Sequence, residues 1–519
     1  MESKQSSGSH RNSTCCPVKC TWHYERQFAE TTTCHGVSHI VSSDRLWSKA
    51  IWSVFVCTAF VAVISQCWLL FSNYLHHHTV TEIRVLYEDR IEFPAVTVCN
   101  FNRLRKSVLE DWGIIDTDMR EYLLAGFGAE GVLHGNLTFY PKTRHHRFLN
   151  ISKTAGSKIP KDFEQVVRKA GTQFQDLITF CAFGGLPNFG VCADEAFQHT
   201  YTELGNCYTY KPKIPGYQYA TGTNRGLTLG MFLRVEDYAE TLFYGLIESG
   251  LRFHIHDPGE PPIMEGSGLS VAPGVHAYAS IARTDFINLK DPWGECVNHS
   301  LTFFPKYTVQ GCLLECKVKF IMSVCNCTPI AYPSVDGVPV CSPVEMLTCF
   351  YRKSIEFEFL KIQDTPCGIS CDPACNYTEY DVALSYAELP GKSVAIEFAA
   401  EKNVTLEFLK KNYMELSVYF KDIKHTIIEQ KKAQTPEGLI SNIGGQLGLF
   451  LGASFLTLAE FGQYILIKLQ HWCGTKDPDK KRKEALEKTK DNPSVDHRPV
   501  DTSQDNDCNN AKAAAVTYL

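Results

Sequence analysis

The sequence lacks several features that would place it in common functional classes. It has no basic excess, since 51 Lys and Arg stand against 57 Asp and Glu and the net charge is −6. A nucleic-acid-binding protein would usually show a basic face. The chain also has no internal repeat at a period of about 20 to 50 residues, which solenoid proteins show. These absences argue against a nucleic-acid partner and against a solenoid fold.

Enzyme motifs are missing as well. The sequence contains no G-x-S-x-G, no H-E-x-x-H and no glycine-rich phosphate-binding loop. Histidines and carboxylates are numerous, but they do not occur in these spacings. We therefore expect no catalytic residues, no metal site and no cofactor.

Long uncharged runs are scarce, and the first covers residues 50–71. A helix of this length crosses the hydrocarbon core of a bilayer, which needs about 20 apolar residues. A cleaved signal peptide would have a shorter apolar core nearer the start of the chain, and a buried core helix is seldom so long. The sequence predicts a transmembrane helix over 48–72.

The second uncharged run covers residues 438–459 and is rich in small and polar residues. Gly444, Gly448 and Gly452 recur at four-residue spacing, which allows helices to pack closely. Irregular backbone at membrane depth is tolerated only next to protein or a water-filled cavity. Glu460 adds an ionisable side chain, and such a residue in a span indicates function. We predict a second span over 438–470; dimerisation through small residues is the alternative.

Positive charges flank both runs on what would be the same side of the membrane. Arg45 and Lys49 precede the first run, while Lys468 and the basic residues 480–483 follow the second. The positive-inside rule places the segments 1–47 and 471–519 in the cytoplasm and 73–437 outside. The tails read as disordered. The C-terminal residues 517–519 would suit a PDZ-type domain, which binds peptides by strand addition.

Cysteines support this orientation. Of the 22 cysteines, 14 lie between positions 99 and 375, an even number that indicates a disulfide framework in an oxidising compartment. Zinc binding at Cys325 and Cys327 is the competing use, but the many other cysteines and a glycosylation sequon at Asn326 favour disulfides. The six sequons of the segment are at Asn136, Asn150, Asn298, Asn326, Asn376 and Asn403. The segment 73–437 is therefore predicted to be extracellular.

Residue patterns in this segment indicate a mixed α+β domain. Residues 90–98 and 416–420 resemble strands, whereas 161–180 and 343–363 have helical spacing. Three histidines, 76–78, follow the first span. They could bind a divalent metal or sense protons, or form a solvated linker.

Four motifs carry a resemblance to a known family. Residues 444–454 (GGQLGLFLGAS), followed by Glu460, resemble the second span of the degenerin, epithelial sodium and acid-sensing ion channels. Residues 93–100 (FPAVTVCN) resemble the strand after their first span, and 428–432 (IEQKK) the strand before the second. His35 and Gly36 resemble their motif before the first span. The similarity covers about residues 28–470, and Pro261-Pro262, 271–274 (VAPG) and 292–294 (PWG) resemble the acid-sensing branch.

The resemblance implies a fold and an assembly. Each subunit would have two spans and a hand-shaped extracellular domain made of palm, finger, thumb and β-ball, and three identical or related subunits would form a plasma-membrane channel. It also implies seven disulfides. These are Cys99–Cys207, Cys181–Cys192, Cys296–Cys375, Cys312–Cys371, Cys316–Cys367, Cys325–Cys349 and Cys327–Cys341.

The implied activity is passive, amiloride-sensitive sodium conduction. Gly452, Ala453 and Ser454 would present backbone carbonyls to the ion, and Glu460 would add a ring of carboxylates. Ser441 and Asn442 would lie in the outer pore, where calcium could block. His35 and Gly36 would line the cytoplasmic vestibule and affect opening.

Departures from the family concern gating. Of the acidic set in the finger, only Glu248 remains, the thumb stretch after Cys349 lacks the expected aspartates, and Gln463 replaces a pore aspartate. These differences argue against a conventional acidic-pocket proton gate. Protons acting through His77, His78 and Glu248 remain the first candidate stimulus. A peptide, another small ligand or constitutive opening is the alternative.

Two interpretations lie outside the family. An ATP-gated trimeric channel shares two spans and a cysteine-rich domain, but it would need a lysine-rich phosphate cluster and has a different pore signature. A non-conducting receptor or adhesion protein would have no need of Gly452-Ala453-Ser454 and Glu460 within a span.

Overall fold

The computed structural model describes residues 25–128, 141–155, 158–184, 190–192, 194–211, 216–241, 246–363 and 371–474. The chain divides into two compact units. We call the one formed by the described residues up to His76 and from Thr435 onward the helical unit. The other, His77–Gln434, is the disulfide-rich unit, and its ends lie close to the predicted boundaries 73 and 437.

The described part of the helical unit is helical at residues 25–31 and forms four further helices. They are α1 (Val37–Ser42), α2 (Leu46–Leu75), α14 (Pro436–Leu451) and α15 (Phe455–Gly474). Helix α2 is long and apolar enough to cross a membrane by itself, whereas α14 and α15 qualify only together, as one span bent by 80°. By length and composition, the described residues thus contain one spanning helix, or two spans if the bent pair counts as one. Helix α14 packs along α2.

The disulfide-rich unit is built on two larger sheets and a two-stranded one. The seven-stranded sheet has the order β13-β12-β14-β9-β4-β5, and β1 pairs with β14. Its strands are β1 (Thr79–Tyr87), β4 (Ile178–Phe183), β5 (Gly190–Val191), β9 (Leu227–Phe232), β12 (Val275–Ile287), β13 (Asn376–Glu388) and β14 (Tyr413–Lys432). The five-stranded sheet has the order β11-β10-β3-β7-β6. Its strands are β3 (Ala95–Asn100), β6 (Phe197–Thr202), β7 (Gly205–Tyr210), β10 (Leu251–His256) and β11 (Leu269–Val271). Strands β2 (Ile91–Glu92) and β8 (Tyr217–Gln218) pair separately.

Apolar side chains of the two larger sheets share one core. Val96, Val98 and Phe253 of the five-stranded sheet and Leu229 and Val418 of the seven-stranded sheet are fully buried in it. Alternate residues of a strand point to the same face, so each strand contributes every second side chain. This core fixes the register of β14, the strand that precedes α14 in the chain.

The described residues of this unit also form helices. They are α3 (Lys106–Asp111), α4 (Thr117–Leu124), α5 (Pro141–Ala155), α6 (Phe163–Ala170), α7 (Phe174–Leu177), α8 (Met264–Ser267), α9 (Val309–Cys325), α10 (Pro343–Glu345), α11 (Tyr351–Gln363), α12 (Lys392–Lys402) and α13 (Leu406–Asn412). A π-helical turn, Met346–Phe350, joins α10 to α11. The helix expected over 343–363 is therefore present. The single helix expected over 161–180 is wrong: the structure has two short helices, α6 and α7, with residues 171–173 non-helical between them, and β4 begins at Ile178.

Candidate functional site

The apolar helix pair breaks at Gly452-Ala453-Ser454. Helix α14 ends with Gly452 in the left-handed region, at φ 62°, which favours glycine. The Gly452 N–H donates to the Gly448 carbonyl at 3.0 Å, and the Ala453 N–H to the Leu447 carbonyl at 3.2 Å. The following residues are not helical, and α15 starts at Phe455. The predicted filter residues thus form a non-helical break inside an apolar segment.

The segment before α2 lies directly against this break. The His35 N–H donates to the Leu451 carbonyl at 2.9 Å. A Cβ at Gly452 would lie 1.4 Å from His35 Nδ1, so no side chain fits there. Gly36 has φ +87°, and a Cβ at this residue would come 2.7 Å from Val56 Cγ2. The structure therefore brings His35 and Gly36 together with the candidate filter.

Glu460 is held by the same segment. Its Oε2 accepts hydrogen bonds from the Thr33 N–H at 3.2 Å and from the Thr33 hydroxyl at 3.3 Å. The Thr33 and Thr457 hydroxyls lie 2.6 Å apart, and Thr457 is 1 % exposed. Ser454 and Thr457 also bond each other at the start of α15. Thr33 and Thr457 were not predicted from the sequence. The only sequence signal for Thr33 is that it lies next to the His35-Gly36 motif, and the only one for Thr457 is that it precedes Glu460 by three residues.

Ser441 and Asn442 lie on helix α14 between its capped start and the break. Thr435 caps this helix by accepting a hydrogen bond from the Gly438 N–H at 3.1 Å. Both Ser441 and Asn442 have exposed side chains in the single chain. The structure places them on the helix that ends just before Gly452, about three turns earlier.

His77 and His78 lie at the end of the β1–β14 pair, where the disulfide-rich unit begins. The His78 carbonyl accepts from the Ala433 N–H at 2.9 Å, next to the Thr79–Lys432 pair. The His77 ring packs edge-on against Trp293, with centroids 4.8 Å apart. The Lys432 ammonium lies 3.8 Å from the centroid of the same indole. His77 has φ 51°, a conformation that histidine adopts more often than most non-glycine residues.

Glu248, the remaining acidic residue of the finger stretch, has an exposed side chain just before β10. Residues 242–245, which precede it, lie outside the described part of the chain. In the described part, Glu248 forms no salt bridge. The structure does not bring it together with His77 and His78 into one cluster.

Six disulfides are present among the described residues. They are Cys99–Cys207, Cys181–Cys192, Cys296–Cys375, Cys312–Cys371, Cys325–Cys349 and Cys327–Cys341. All six are pairs that the resemblance implies. Cys316 is also disulfide-bonded, while its implied partner Cys367 lies outside the described residues. No group of three or more possible metal ligands occurs in the described ranges, and Cys325 and Cys327 are each used in a disulfide.

The sequons lie on the surface of the disulfide-rich unit where they are described. Asn150, Asn298, Asn326, Asn376 and Asn403 are all exposed. Asn136 lies in the stretch 129–140, which is not described. The five described positions are thus sterically open to glycans.

Comparison with known proteins gives a consistent set of relatives. The profile described as "Amiloride-sensitive sodium channel" matches residues 28–464. The bile acid-sensitive ion channel of Mus musculus is 30% identical over 455 residues, which cover 85% of this chain and 87% of that protein. Acid-sensing ion channel 1A of Danio rerio is 29% identical over 461 residues, covering 84% and 87%. Acid-sensing ion channel 2 of Homo sapiens is 28% identical over 465 residues, covering 84% and 85%.

Proposed function

Because the chain belongs to the amiloride-sensitive sodium channel family, we propose that it conducts sodium through a trimeric pore that amiloride blocks. Members of this family are plasma-membrane ion channels, not enzymes, and they assemble as multimers of related subunits. In our proposal both termini are cytoplasmic, α2 and the bent α14–α15 pair cross the bilayer, and the disulfide-rich unit is extracellular. The assembly is a homotrimer or a heterotrimer with related subunits.

The observation that carries this proposal is the break at Gly452-Ala453-Ser454. An interrupted helix exposes backbone carbonyls, which can replace part of the water around a permeating cation. Backbone freed in this way needs protein or water around it at membrane depth, and three such breaks around an axis would supply both. A lone anchor helix has no use for this arrangement.

Glu460 supplies the fixed charge in our proposal. One carboxylate from each subunit forms a ring that attracts cations. The same ring, with the outer vestibule near Ser441 and Asn442, is a place where calcium can bind and block. The permeant ion is the cargo, and the channel needs no resident cofactor.

Protons are the stimulus that we propose first. The relatives include channels named as acid-sensing, and His77 and His78 lie at the base of the two strands that continue along the chain into α2 and α14. The alternative stimulus is a small ligand or peptide, with constitutive opening as a further form. Among these alternatives, the relative named as bile acid-sensitive supports a small ligand.

A cytoplasmic partner is also part of the proposal. Residues 517–519 (Thr-Tyr-Leu) suit the strand-adding groove of a PDZ-type domain. They lie outside the described residues. Deleting them should abolish binding of such a domain and leave the current intact.

Expression of the chain alone in oocytes under voltage clamp tests the channel. External pH is stepped from about 8 to about 4, the range around the titration of His and carboxyl groups, with and without amiloride. An inward sodium current on acidification supports proton gating. A standing current that amiloride blocks supports constitutive opening.

Silence at every pH requires a second variant before the channel itself is rejected. A bulky residue at Ser441, such as Ser441→Phe, should hold the outer pore open. If this variant is also silent although it reaches the surface, homomeric conduction is contradicted. A non-conducting adhesion protein would in addition be indifferent to substitution of Ala453 or Ser454.

A further inference from the structure

A buried histidine lies in the middle of the seven-stranded sheet, away from the pore residues and from His77 and His78. His425 of β14 is 9% exposed. It lies just after an irregularity in the β12–β14 pairing, where Ile281 faces Phe420 but Arg283 faces His425. On the other side, Leu86 of β1 is its register partner. His425 is therefore enclosed by strands on both sides.

Each ring nitrogen of His425 faces a carboxylate. Nδ1 is 3.6 Å from Glu88 Oε1, and Nε2 is 3.7 Å from Asp285 Oδ2. Nδ1 is buried and has no hydrogen-bond partner among the described residues. A neutral imidazole carries one N–H and one lone pair. Whichever nitrogen holds the lone pair therefore faces another acceptor.

Proton uptake removes this conflict. In the charged imidazolium both nitrogens are donors, and the two carboxylates then face two N–H groups. We propose that His425 is a proton-binding site that ties β14 to Asp285 of β12 and to Glu88 after β1 when it is protonated.

The other charged groups around the ring do not compete with His425 for Asp285 Oδ2. Arg283 is engaged with Oδ1 of Asp285, at 3.0 Å, and Thr378 of β13 donates to the same oxygen at 2.7 Å. Oδ2 thus remains for His425. Tyr380 of β13 and Glu92 of β2 interact with Arg283. On the same strand, Lys424 pairs with Asp422 at 2.9 Å.

A second histidine of the sheet shows what a satisfied neutral ring looks like. His276 of β12 has Nε2 at 2.8 Å from the Ser417 hydroxyl and Nδ1 at 3.4 Å from Glu415. A hydroxyl can donate to the lone pair while Nδ1–H faces the carboxylate, so no proton is needed. Burial lowers the pKa of His276. This residue is the matched control for His425.

The site acts on two strands that lead into the apolar helices. Strand β1 follows α2 in the chain, and β14 precedes α14. When His425 is protonated and holds β1, β12 and β14 together, it therefore restricts the conformation of the α2–β1 connection and of the β14–α14 connection. This consequence for gating rests on the proposed function, whereas the proton site itself does not.

Hydrogen exchange of the full chain in lipid nanodiscs tests the site without any current. Amides of Thr79–Tyr87 and Tyr413–Lys432 are compared at about pH 7.5 and pH 5.5, on either side of the ordinary histidine titration, after correction for intrinsic exchange rates. We expect about twofold to fivefold slower exchange at the lower pH, the scale of partly exposed ion pairs. His425→Gln should abolish this difference, and His276→Gln should leave it unchanged.

Two further variants guard against a folding defect in His425→Gln. Glu88→Gln and Asp285→Asn each remove one facing carboxylate and should each reduce the effect. An unchanged pH difference in His425→Gln, or one lost equally in His276→Gln, would overturn the proposal. In oocytes, His425→Gln should shift half-activation to lower pH. If no variant conducts but the exchange result holds, the channel proposal fails and the proton site stands.

Discussion

At the scale of single residues, Gly452 has little freedom to change. A Cβ there would overlap the His35 ring, and φ is positive. The backbone strain alone costs about 1 to 3 kcal/mol. Gly452→Ala should therefore displace His35 and strongly reduce sodium current per channel at the surface, measured by voltage clamp with surface labelling.

Gly445 provides the control. It lies on the same helix, and a Cβ there would meet nothing within 4 Å. Gly445→Ala should therefore leave folding of the single chain intact. If Gly452→Ala conducts like the wild-type protein, the close packing of His35 against the break is wrong.

Thr33 is the second residue for which the structure predicts a distinct effect. Thr33→Val removes a hydroxyl that contacts Glu460 and Thr457. A lost hydrogen bond of about 1 kcal/mol corresponds to about a fivefold change in an equilibrium. We expect the sodium-to-potassium permeability ratio to fall by up to this factor, measured from reversal potentials.

The neighbouring Thr31 offers a matched comparison, because its hydroxyl bonds only to helix carbonyls of Gln27 and Phe28 in the described chain. Thr31→Val should keep the wild-type reversal potential. Equal shifts of the reversal potential in Thr33→Val and Thr31→Val would mean that the hydrogen bond from Thr33 to Glu460 does not determine ion selectivity.

The sequence predicted the break in the pore helix but not the residues that contact it from distant parts of the chain. The glycine spacing and the charge at Glu460 stood out within an apolar run. Thr33 meets Glu460 across 427 residues of chain, and no local pattern records such a contact. His425 was missed for the same reason, since its significance comes from Glu88 and Asp285 on other parts of the sheet.

At the scale of elements, the disulfide between β3 and β7 joins two neighbouring strands. Cys99 and Cys207 are paired in register and fully buried, and 108 residues separate them in the chain. Loss of such a bridge typically costs about 2 to 5 kcal/mol. The double variant Cys99→Ser, Cys207→Ser should lower the unfolding midpoint of the purified chain by several degrees.

Cys57 tests whether this loss is specific, because it is a free, exposed cysteine on α2. Cys57→Ser should unfold like the wild-type protein. A double variant that keeps the wild-type midpoint would show that β3 and β7 need no covalent link.

Acid should destabilise the five-stranded sheet, whereas protonation of His425 should stabilise the seven-stranded sheet. Burial holds the pKa of His256 at about 4, against the 6.5 of an ordinary imidazole. Its Nε2 lies 2.9 Å from Thr97 Oγ1 and its Nδ1 lies 2.9 Å from the Asp257 carbonyl oxygen. Because the folded value is depressed, the unfolded chain binds the proton first, and stability is lost as pH falls from about 6.5 toward 4.

His256→Gln should remove the His256 share of this acid sensitivity, while His254 of the same strand, whose pKa burial lowers to about 3, keeps its own share. Between about pH 7.5 and 4.5 the wild-type unit should lose about 2 to 3 kcal/mol that the variant does not lose. Denaturant unfolding at both pH values measures the difference. Parallel pH profiles for the two proteins would contradict the assignment to His256.

Element boundaries depended on tertiary context. The strand pattern over 90–98 was visible, yet Pro94 cannot donate to a ladder, and the structure has β2 and β3 on either side of it. The helical spacing over 161–180 predicted a helix to 180, but β4 begins at Ile178, pairs with β9 and contains Cys181, which is bonded to Cys192. Sheet pairing overrides the local helical pattern there.

At the scale of the whole molecule, the sequons test on which side of the membrane the disulfide-rich unit lies. All five described sequon asparagines are exposed on the disulfide-rich unit. If this unit is extracellular, glycosidase treatment should lower the apparent mass of the chain made in animal cells. Replacing the six sequon asparagines by Gln should remove the shift. An unchanged mass in the wild-type protein would place the unit on the other side of the membrane.

The contact of Thr33 with Glu460 also sets an order for biogenesis. The ribosome adds about 5 to 20 residues per second, so the 427 residues between these positions take on the order of 20 to 90 s to synthesise. For most of this time Thr33, His35 and Gly36 have been synthesised, but α14 and α15 have not. The N-terminal segment of the helical unit can therefore pack only after α14 and the start of α15 have been synthesised. A nascent chain that stops before residue 452 lacks the residues that this segment contacts. Quality control that surveys this segment would therefore detect whether α14 and the start of α15 have been synthesised.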